Sequence, residues 1–288
     1  MLLDLNAYSW PVFKKEINKL AVLALPMLVA QVAQVGIGFV DTVMAGGAGK
    51  DDLAAVALGS SVFATIYITF MGVMTALNPM IAQLFGAGKA DEVGETGRQG
   101  IWFGVMLGII GMLLMWLLVW PFQAWLSLSD KVENMMALYM FFTGLAMPAA
   151  MVHRALHAYA SSLNRPRVIM IVSFLAFLLN IPLNYAFVYG KFGMPALGGA
   201  GCGVATAISF WFSGLCMLYY LRRDPQYKSL GPLFAPLFRG GSASGPRFDG
   251  ALVLRVLRIG LPGALALFFE VSLFALSAIL LAPLGTVM

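Results

Sequence analysis

The chain has 288 residues, of which 60% are hydrophobic and only 11% are charged, and its mean hydropathy is +0.86. These values exclude an ordinary soluble domain and are typical of an integral membrane protein. Eighteen Lys and Arg residues against thirteen Asp and Glu residues give a net charge of +5, an excess too small and too dispersed among apolar blocks to predict nucleic-acid binding.

Seven apolar blocks, each long enough to cross a bilayer as a helix, follow one another along the chain. They cover residues 20–44, 53–85, 99–120, 135–159, 168–189, 198–221 and 253–281. Short segments rich in Gly, Pro and charge separate most of them, which is typical of turns between helices. Because the blocks are continuous rather than alternating, the sequence predicts an all-α integral membrane protein and not a closed barrel.

The basic residues divide unevenly between the two sets of alternate loops. One set holds fifteen of the eighteen, and the other holds Lys50, Lys131 and Lys191. Cytoplasmic loops carry the excess of Lys and Arg. The N-terminus is therefore predicted to be cytoplasmic, and the seventh helix is predicted to end outside. The first apolar block is too long for the core of a cleavable signal, so we expect it to be retained as a span.

The hydrophilic connection near residue 240 divides the chain into four predicted segments. They are a cytoplasmic N-terminal segment (1–19), a six-helix transmembrane lobe (20–221), a cytoplasmic linker (222–250) and a seventh transmembrane helix that begins a second lobe (251–288). The linker is rich in Gly and Ser, and Leu25-Pro26 with Gln34 recurs 236 residues later as Leu261-Pro262 with Glu270. Two six-helix halves related by an internal repeat are a common transporter plan.

Two acidic residues, Asp41 and Glu270, fall within apolar blocks. A carboxylate in hydrocarbon costs about 2.5 to 3.5 kcal/mol on insertion scales, so it usually serves a partner, an ion or a proton. Asn180 and Asn184 lie on one face of the fifth block, and Pro182 between them frees a backbone carbonyl. Carboxylate and amide oxygens suit a hard cation, so these residues are candidates for binding a monovalent cation or a proton.

Simpler roles remain open for all of these polar residues. Asp41 lies close enough to the end of its span to reach the interface, and the asparagines can hold neighbouring helices together. Gln34 and Asn78 are candidates for the wall of a substrate cavity, although helix packing is the simpler role for both. The glycine-rich run at 198–203 predicts close backbone approach. The eighteen methionines are expected to face lipid for the most part.

Motifs for enzymatic chemistry are missing from the sequence. Lys89 follows two glycines, but Ala90 stands where a phosphate-binding loop needs Ser or Thr. His153 and His157 have the i, i+4 spacing of metal ligands, yet Arg154 stands where a zinc hydrolase carries Glu, so a structural role is predicted. We therefore expect no catalytic residues, no bound metal and no cofactor.

Six short motifs stand out in the sequence. They are Leu-Pro-Met at 25–27, Val-Asp-Thr-Val-Met-Ala-Gly at 40–46, Leu-Ala-Ala-Val-Ala-Leu-Gly at 53–59, Asn-Ile-Pro-Leu-Asn-Tyr at 180–185, Gly-Gly-Ala-Gly at 198–201 and Val-Ala-Thr-Ala-Ile-Ser at 204–209. Together they resemble the multidrug and toxic compound extrusion (MATE) family, and Glu270 in the seventh block suggests its NorM-type bacterial branch. The resemblance covers the whole chain.

This resemblance implies a V-shaped, twelve-helix antiporter of the bacterial inner membrane. Such a transporter exports cationic and amphipathic drugs or dyes across the lipid bilayer against a Na⁺ or H⁺ gradient. Asp41, Asn180 and Asn184 would form the coupling site of the first lobe, and Glu270 would open the cation site of the second. A C-terminal half of the transporter is then the expected partner of these 288 residues.

Three other functions remain as alternatives to an antiporter. A lipid-linked oligosaccharide flippase of the related superfamily would favour a basic cavity, whereas the spans here hold acids rather than Lys or Arg. An ion channel would dissipate a gradient without exchanging substrate. A half-transporter or assembly module would not transport by itself.

The topology is tested by labelling single cysteines in a variant without Cys202 and Cys216. Cysteines at Lys50 or Lys131 should react with an impermeant external thiol reagent, and those at Arg98 or Arg239 should not, because the positive-inside pattern places them on opposite sides. The reverse pattern of labelling would overturn the predicted orientation.

Overall fold

A computed structural model describes residues 10–125, 129–225, 230, 233 and 249–285 of the chain. The regular elements of this part are all helices, as predicted. They are α1 (Trp10–Ala48), α2 (Lys50–Met74), α3 (Leu77–Gly86), α4 (Ala90–Trp125), α5 (Asp130–Ser162), α6 (Pro166–Tyr189), α7 (Gly199–Arg223) and α8 (Gly250–Gly285).

Seven helical segments of the described chain are long and apolar enough to cross a membrane, with α2 and α3 counted together as Lys50–Gly86. They match the predicted spans in order, and six of them begin earlier than predicted, α1 and α4 by the most. α1 starts at Trp10 rather than residue 20, and α4 starts at Ala90 rather than residue 99. A hydropathy window reports only the apolar part of a helix, whereas the helix continues through its polar turns. Most of the predicted linker (222–250) lies outside the described residues.

The second span is broken between α2 and α3, which the sequence analysis treated as one block. Pro79 has no N–H, and its ring excludes the carbonyl four residues earlier, which is that of Thr75. The Thr75 carbonyl instead accepts from the N–H of Asn78 at 3.0 Å, and the Thr75 hydroxyl donates to the Gly72 carbonyl at 2.6 Å. The backbone therefore tightens into a three-residue turn at this point.

Helix α5 is the centre of the packing, because it contacts α2, α3, α4 and α7. Met136, Met140, Met147 and Met151 are fully buried along it. The expectation that methionines mostly face lipid is wrong for this helix. An unbranched, flexible thioether side chain fills the irregular gaps where several helices meet.

Arg98 is a second departure from the sequence analysis, which placed this residue in a loop and treated the spans as free of Lys and Arg. Arg98 lies two turns inside α4 with 1% of its side chain exposed, and its guanidinium pairs with Glu95 one turn earlier on the same helix. A cysteine at residue 98 would resist labelling through burial alone. Lys89, which is exposed in the turn before α4, is the better reporter of that side.

Helix α8 packs directly against α2, although the sequence analysis assigned it to a separate lobe. A Cβ added to Gly72 would lie 2.7 Å from the Cα of Ala264, and one added to Gly260 would meet the backbone of Val73. Glycine at both positions lets the two backbones touch, as small residues do between membrane helices.

A side chain at Gly260 should separate α2 from α8. We expect Gly260→Leu to lower the midpoint of thermal unfolding in detergent, because overpacking costs about 1–3 kcal/mol. Gly263→Leu is the matched control, since nothing lies within 4 Å of a Cβ at that position on the same helix. Equal shifts for the two variants would contradict the α2–α8 contact.

Candidate functional site

The carboxylate of Asp41 is buried where three helices converge. Asp41 lies two turns before the end of α1 and is 5% exposed. Its Oδ1 accepts a hydrogen bond from Nδ2 of Asn184 on α6 at 2.7 Å, and its Oδ2 accepts one from Oγ1 of Thr206 on α7 at 2.7 Å. The simpler interpretation of the sequence required the Asp41 carboxylate to reach the membrane interface. It is instead held in the protein interior and does not reach the interface.

The two asparagines predicted to share a face of α6 do so. Both are fully buried, and Asn184 Nδ2 makes a second hydrogen bond to Asn180 Oδ1 at 2.8 Å. Pro182 lies between them inside α6, where it cannot donate to the carbonyl of Leu178. The structure thus brings Asp41, Asn180 and Asn184 into one hydrogen-bonded cluster.

The cluster has a free acceptor. An ionised carboxylate only accepts hydrogen bonds, so the amide nitrogen of Asn184 faces Asp41. The Oδ1 of Asn184 therefore faces away from the carboxylate. This oxygen is buried without a hydrogen-bond partner, as is the Nδ2 of Asn180. An unsatisfied buried polar atom costs about 1–3 kcal/mol. Carboxylate, hydroxyl and amide oxygens are the donors that a hard cation prefers, and rotation of the Asn184 amide would bring its oxygen to the Asp41 carboxylate when such a cation binds.

Among the described residues, no basic side chain forms an ion pair with the Asp41 carboxylate. Neutral donors from two other helices lower the cost of burying the charge, but they leave it uncompensated. The site can therefore gain a positive charge, either a proton or a metal cation, without displacing a resident Lys or Arg.

Thr206 belongs to the site, yet the sequence analysis assigned it no role. Buried threonines usually donate to a carbonyl of their own helix, and Thr65, Thr69 and Thr143 do so here. Nothing in the sequence distinguishes Thr206 from them. Its difference is spatial, because the close approach of α7 to α1 places a carboxylate within reach of its hydroxyl.

Glycines at the start of α7 permit a close approach of α7 to α6 and α5, and the sequence predicted close backbone contact at this run. A Cβ on Gly201 would lie 2.6 Å from the backbone of Phe187 on α6, and one on Gly203 would lie 2.9 Å from the carbonyl oxygen of Tyr139 on α5. Gly198 precedes the helix with a φ of 56°, a conformation that favours glycine. The backbone of α7 can therefore lie directly against its neighbours.

Asp52 is a second residue that sequence reasoning missed. It is 5% exposed in the first turn of α2, and its Oδ1 accepts from the backbone N–H of Gly199 at 2.6 Å. The carboxylate thus satisfies an N–H at the start of α7 and lies at the positive end of that helix dipole. An acid at a span end is so common that its sequence position gave no signal of this role.

The other predicted site residues lie elsewhere. Gln34 is half-buried on α1, two turns before Asp41. Asn78 accepts hydrogen bonds from Ser161 and Ser162 at 3.0 Å each, in a pocket that also includes Met27. Met27 precedes Asp41 by fourteen residues, or about 21 Å of helix, so Asn78 does not share the Asp41 site. Its contacts are those of a residue that joins α3 to α5.

Glu270 is exposed on α8 and makes no hydrogen bond or ion pair with any residue that the structure describes.

His153 and His157 face each other along α5 with ring centroids 6.3 Å apart. Within the described ranges, no group of three or more His, Cys, Asp or Glu residues is arranged to hold a metal ion.

Comparison with known proteins supplies the family context. The MatE family model matches residues 26–186 of the chain. A protein of Neisseria meningitidis serogroup B (strain ATCC BAA-335 / MC58) described as a probable multidrug resistance protein NorM is 65% identical over 285 residues, which is 99% of this chain and 60% of that protein. The chain thus spans about 60% of the length of this curated relative.

Solved structures of MATE transporters share the fold. The MATE transporter NorM-NG, solved in a complex that includes a monobody, is 56% identical, with a TM-score of 0.71 over 98% of this chain and 59% of that one. The eukaryotic MATE transporter AtDTX14 is 19% identical, with a TM-score of 0.77 over 93% of this chain and 57% of that one, a likeness of fold alone.

The role of Thr206 is tested by a pair of isosteric substitutions. Thr206→Val removes one of the two side-chain donors to the buried Asp41 carboxylate, and we expect a loss of about 1–3 kcal/mol in stability. Thr143→Val is the control, because Thr143 is equally buried but donates to its own helix. Thermal unfolding in detergent measures both variants, and equal losses would contradict a specific contact with Asp41.

Proposed function

The chain belongs to the MatE family, and from this membership we propose that it forms part of a cation-coupled antiporter that exports cationic and amphipathic drugs and dyes. The family is one of transporters and not of enzymes. A relative that is 65% identical is described as a probable multidrug resistance protein, and a solved structure that is 56% identical is described as a MATE transporter. These likenesses support drug export as the activity of the whole transporter.

The observation that carries the proposal is the buried, uncompensated carboxylate of Asp41. A charge of this kind within a membrane span is costly and is typical of ion and proton pathways. Its neutral partners, Asn184 and Thr206, orient the carboxylate and leave it free to accept a positive charge. We infer that Na⁺ or H⁺ binds here and is exchanged during each transport cycle.

Binding at Asp41 would alter the packing of α1. When a proton or cation takes a carboxylate oxygen, the hydrogen bonds from Asn184 and Thr206 must weaken or rearrange. The Thr206 bond joins α1 to α7. α1 contacts α6 through the Asn184 bond, through Gly36 beside Phe177, and through the Tyr189 hydroxyl, which donates to the Met44 carbonyl at 3.1 Å. A change of charge at Asp41 therefore acts at the joint that fixes α1 to α6, and it can favour one arrangement of α1 over another.

A second six-helix unit is part of the proposal. Alternating access needs two bodies that rock against each other, and this chain covers 60% of the length of its meningococcal relative. Glu270 together with Phe269, Leu273 and Phe274 is exposed on α8. We propose that the second unit covers this face and supplies the polar partners of Glu270. The complete transporter would lie in the bacterial inner membrane with the N-terminus of this chain in the cytoplasm.

The proposal is tested in a chimera in which residues 1–288 replace the matching part of the meningococcal relative. The unsubstituted chimera should extrude a fluorescent cationic dye from whole cells, or accumulate it inside everted vesicles, under an imposed Na⁺ or H⁺ gradient. Asp41→Asn should abolish gradient-driven efflux at equal membrane abundance, because the amide is nearly isosteric but cannot take up a proton or balance a cation.

Thr143→Val serves as the control for substitution within the same lobe and should leave efflux unchanged. Imposing the Na⁺ gradient and the H⁺ gradient separately identifies the coupling ion. Efflux by Asp41→Asn at the rate of the unsubstituted chimera would reduce Asp41 to a packing residue and remove the basis of the proposal.

A further inference from the structure

A basic pocket lies where α6 begins, at the opposite end of α6 from the Asp41 cluster. Its volume is about 510 Å³, within the usual range for small-molecule sites. Arg165 and Arg167, Val22 and Leu23 of α1, and Tyr220 of α7 are among the residues that line the pocket. A cavity between three helices is therefore lined by arginines and by apolar side chains together.

The two arginines are available to a ligand. Neither takes part in an ion pair or hydrogen bond with the side chains that the structure describes. Two neighbouring cations at this end are already engaged: Lys19 pairs with Glu16 at 2.6 Å, and the Arg223 guanidinium lies 5.3 Å from the centre of the Tyr219 ring. Arg165 and Arg167 thus form a local concentration of positive charge that no described carboxylate pairs with.

The turn that carries the arginines is well defined. Asn164 adopts a left-handed conformation with a φ of 58°, its N–H donates to the Ser161 carbonyl at 3.1 Å, and the Arg165 N–H donates to the Ala160 carbonyl at 3.0 Å. Asparagine is among the few residues that accept this conformation readily. Two arginines one residue apart are thereby held at the mouth of the pocket.

The apolar residues that line the pocket determine which kind of anion fits. Val22 and Leu23 are 46% and 39% exposed on the outer surface of α1, where a membrane helix meets acyl chains. A free anion gains nothing from this surface, whereas a phospholipid places its phosphate beside a hydrocarbon chain. Arg binds phosphate oxygens through paired, charge-assisted hydrogen bonds, and basic pockets between membrane helices are suited to anionic headgroups.

We propose that this pocket binds an anionic phospholipid, with the headgroup phosphate on Arg165 and Arg167 and an acyl chain along Val22 and Leu23. This proposal does not rest on the proposed efflux activity. It would anchor the ends of α1, α6 and α7 to the leaflet whose surface carries the lipid charge.

Native mass spectrometry of the purified 288-residue chain tests the proposal. Phosphatidylglycerol, phosphatidylcholine and inorganic phosphate are titrated separately. We expect the chain to retain phosphatidylglycerol in preference to phosphatidylcholine, and Arg165→Gln/Arg167→Gln to weaken that binding about tenfold or more. Arg165→Lys/Arg167→Lys should give an intermediate affinity, because charge is kept while the paired hydrogen bonds are lost.

Lys50→Gln/Lys191→Gln is the matched control, since it removes the same charge from exposed residues in the other set of loops. Its affinity for phosphatidylglycerol should equal that of the unsubstituted chain. Circular dichroism confirms that each variant is folded. Equal weakening by both double substitutions would show a net-charge effect only, and equal retention of the two lipids or displacement by inorganic phosphate would overturn the assignment to an anionic lipid.

Discussion

The burial of one carboxylate constrains the architecture around it. Asp41 is removed from water inside a membrane-spanning helix, so its two oxygens need donors that only other helices can supply. Asn184 and Thr206 supply them from α6 and α7, which are more than 140 residues away along the chain. The positions of α6 and α7 relative to α1 are therefore fixed by the requirement to satisfy a charged group as well as by apolar packing.

Small residues make that requirement compatible with dense packing. Between membrane helices there is little hydrophobic driving force, and close contact of backbones provides much of the attraction. Gly201 and Gly203 bring α7 against α6 and α5, and Gly72 and Gly260 do the same for α2 and α8. A larger side chain at any of these positions would push the two neighbouring helices apart. The wider separation would lengthen a buried hydrogen bond or break a backbone contact.

The sequence predicted the features that depend on local pattern. Seven spans, the shared face of Asn180 and Asn184, and the close approach at 198–203 all follow from hydropathy, helical spacing and glycine content. The role of Thr206 did not follow, because a threonine bonded to its own helix and one bonded to a distant carboxylate look alike in sequence. The burial of Arg98 was missed because a charged arginine inside a helix packed in a membrane protein carries a high desolvation cost. In the structure Glu95, one turn away on the same helix, pairs with the Arg98 guanidinium and offsets that cost. The hydrogen bonds of Asn78 with Ser161 and Ser162 did not follow either, because sequence pattern does not show that α3 and α5 meet. The place of Asn78 in a cavity wall stays a prediction.

The bond between Asp52 and the backbone of Gly199 has a mechanical consequence. It joins the first turn of α2 to the first turn of α7, and Thr206 follows Gly199 by two turns of that same helix. Further along α2, Gly72 rests on the backbone of Ala264 in α8. One end of α2 is therefore hydrogen-bonded to the helix that carries Thr206, and the other end packs against α8. A tilt of α8 would displace α2, and through the bond between Asp52 and Gly199 it would shift the Thr206 hydroxyl that donates to the buried Asp41 carboxylate.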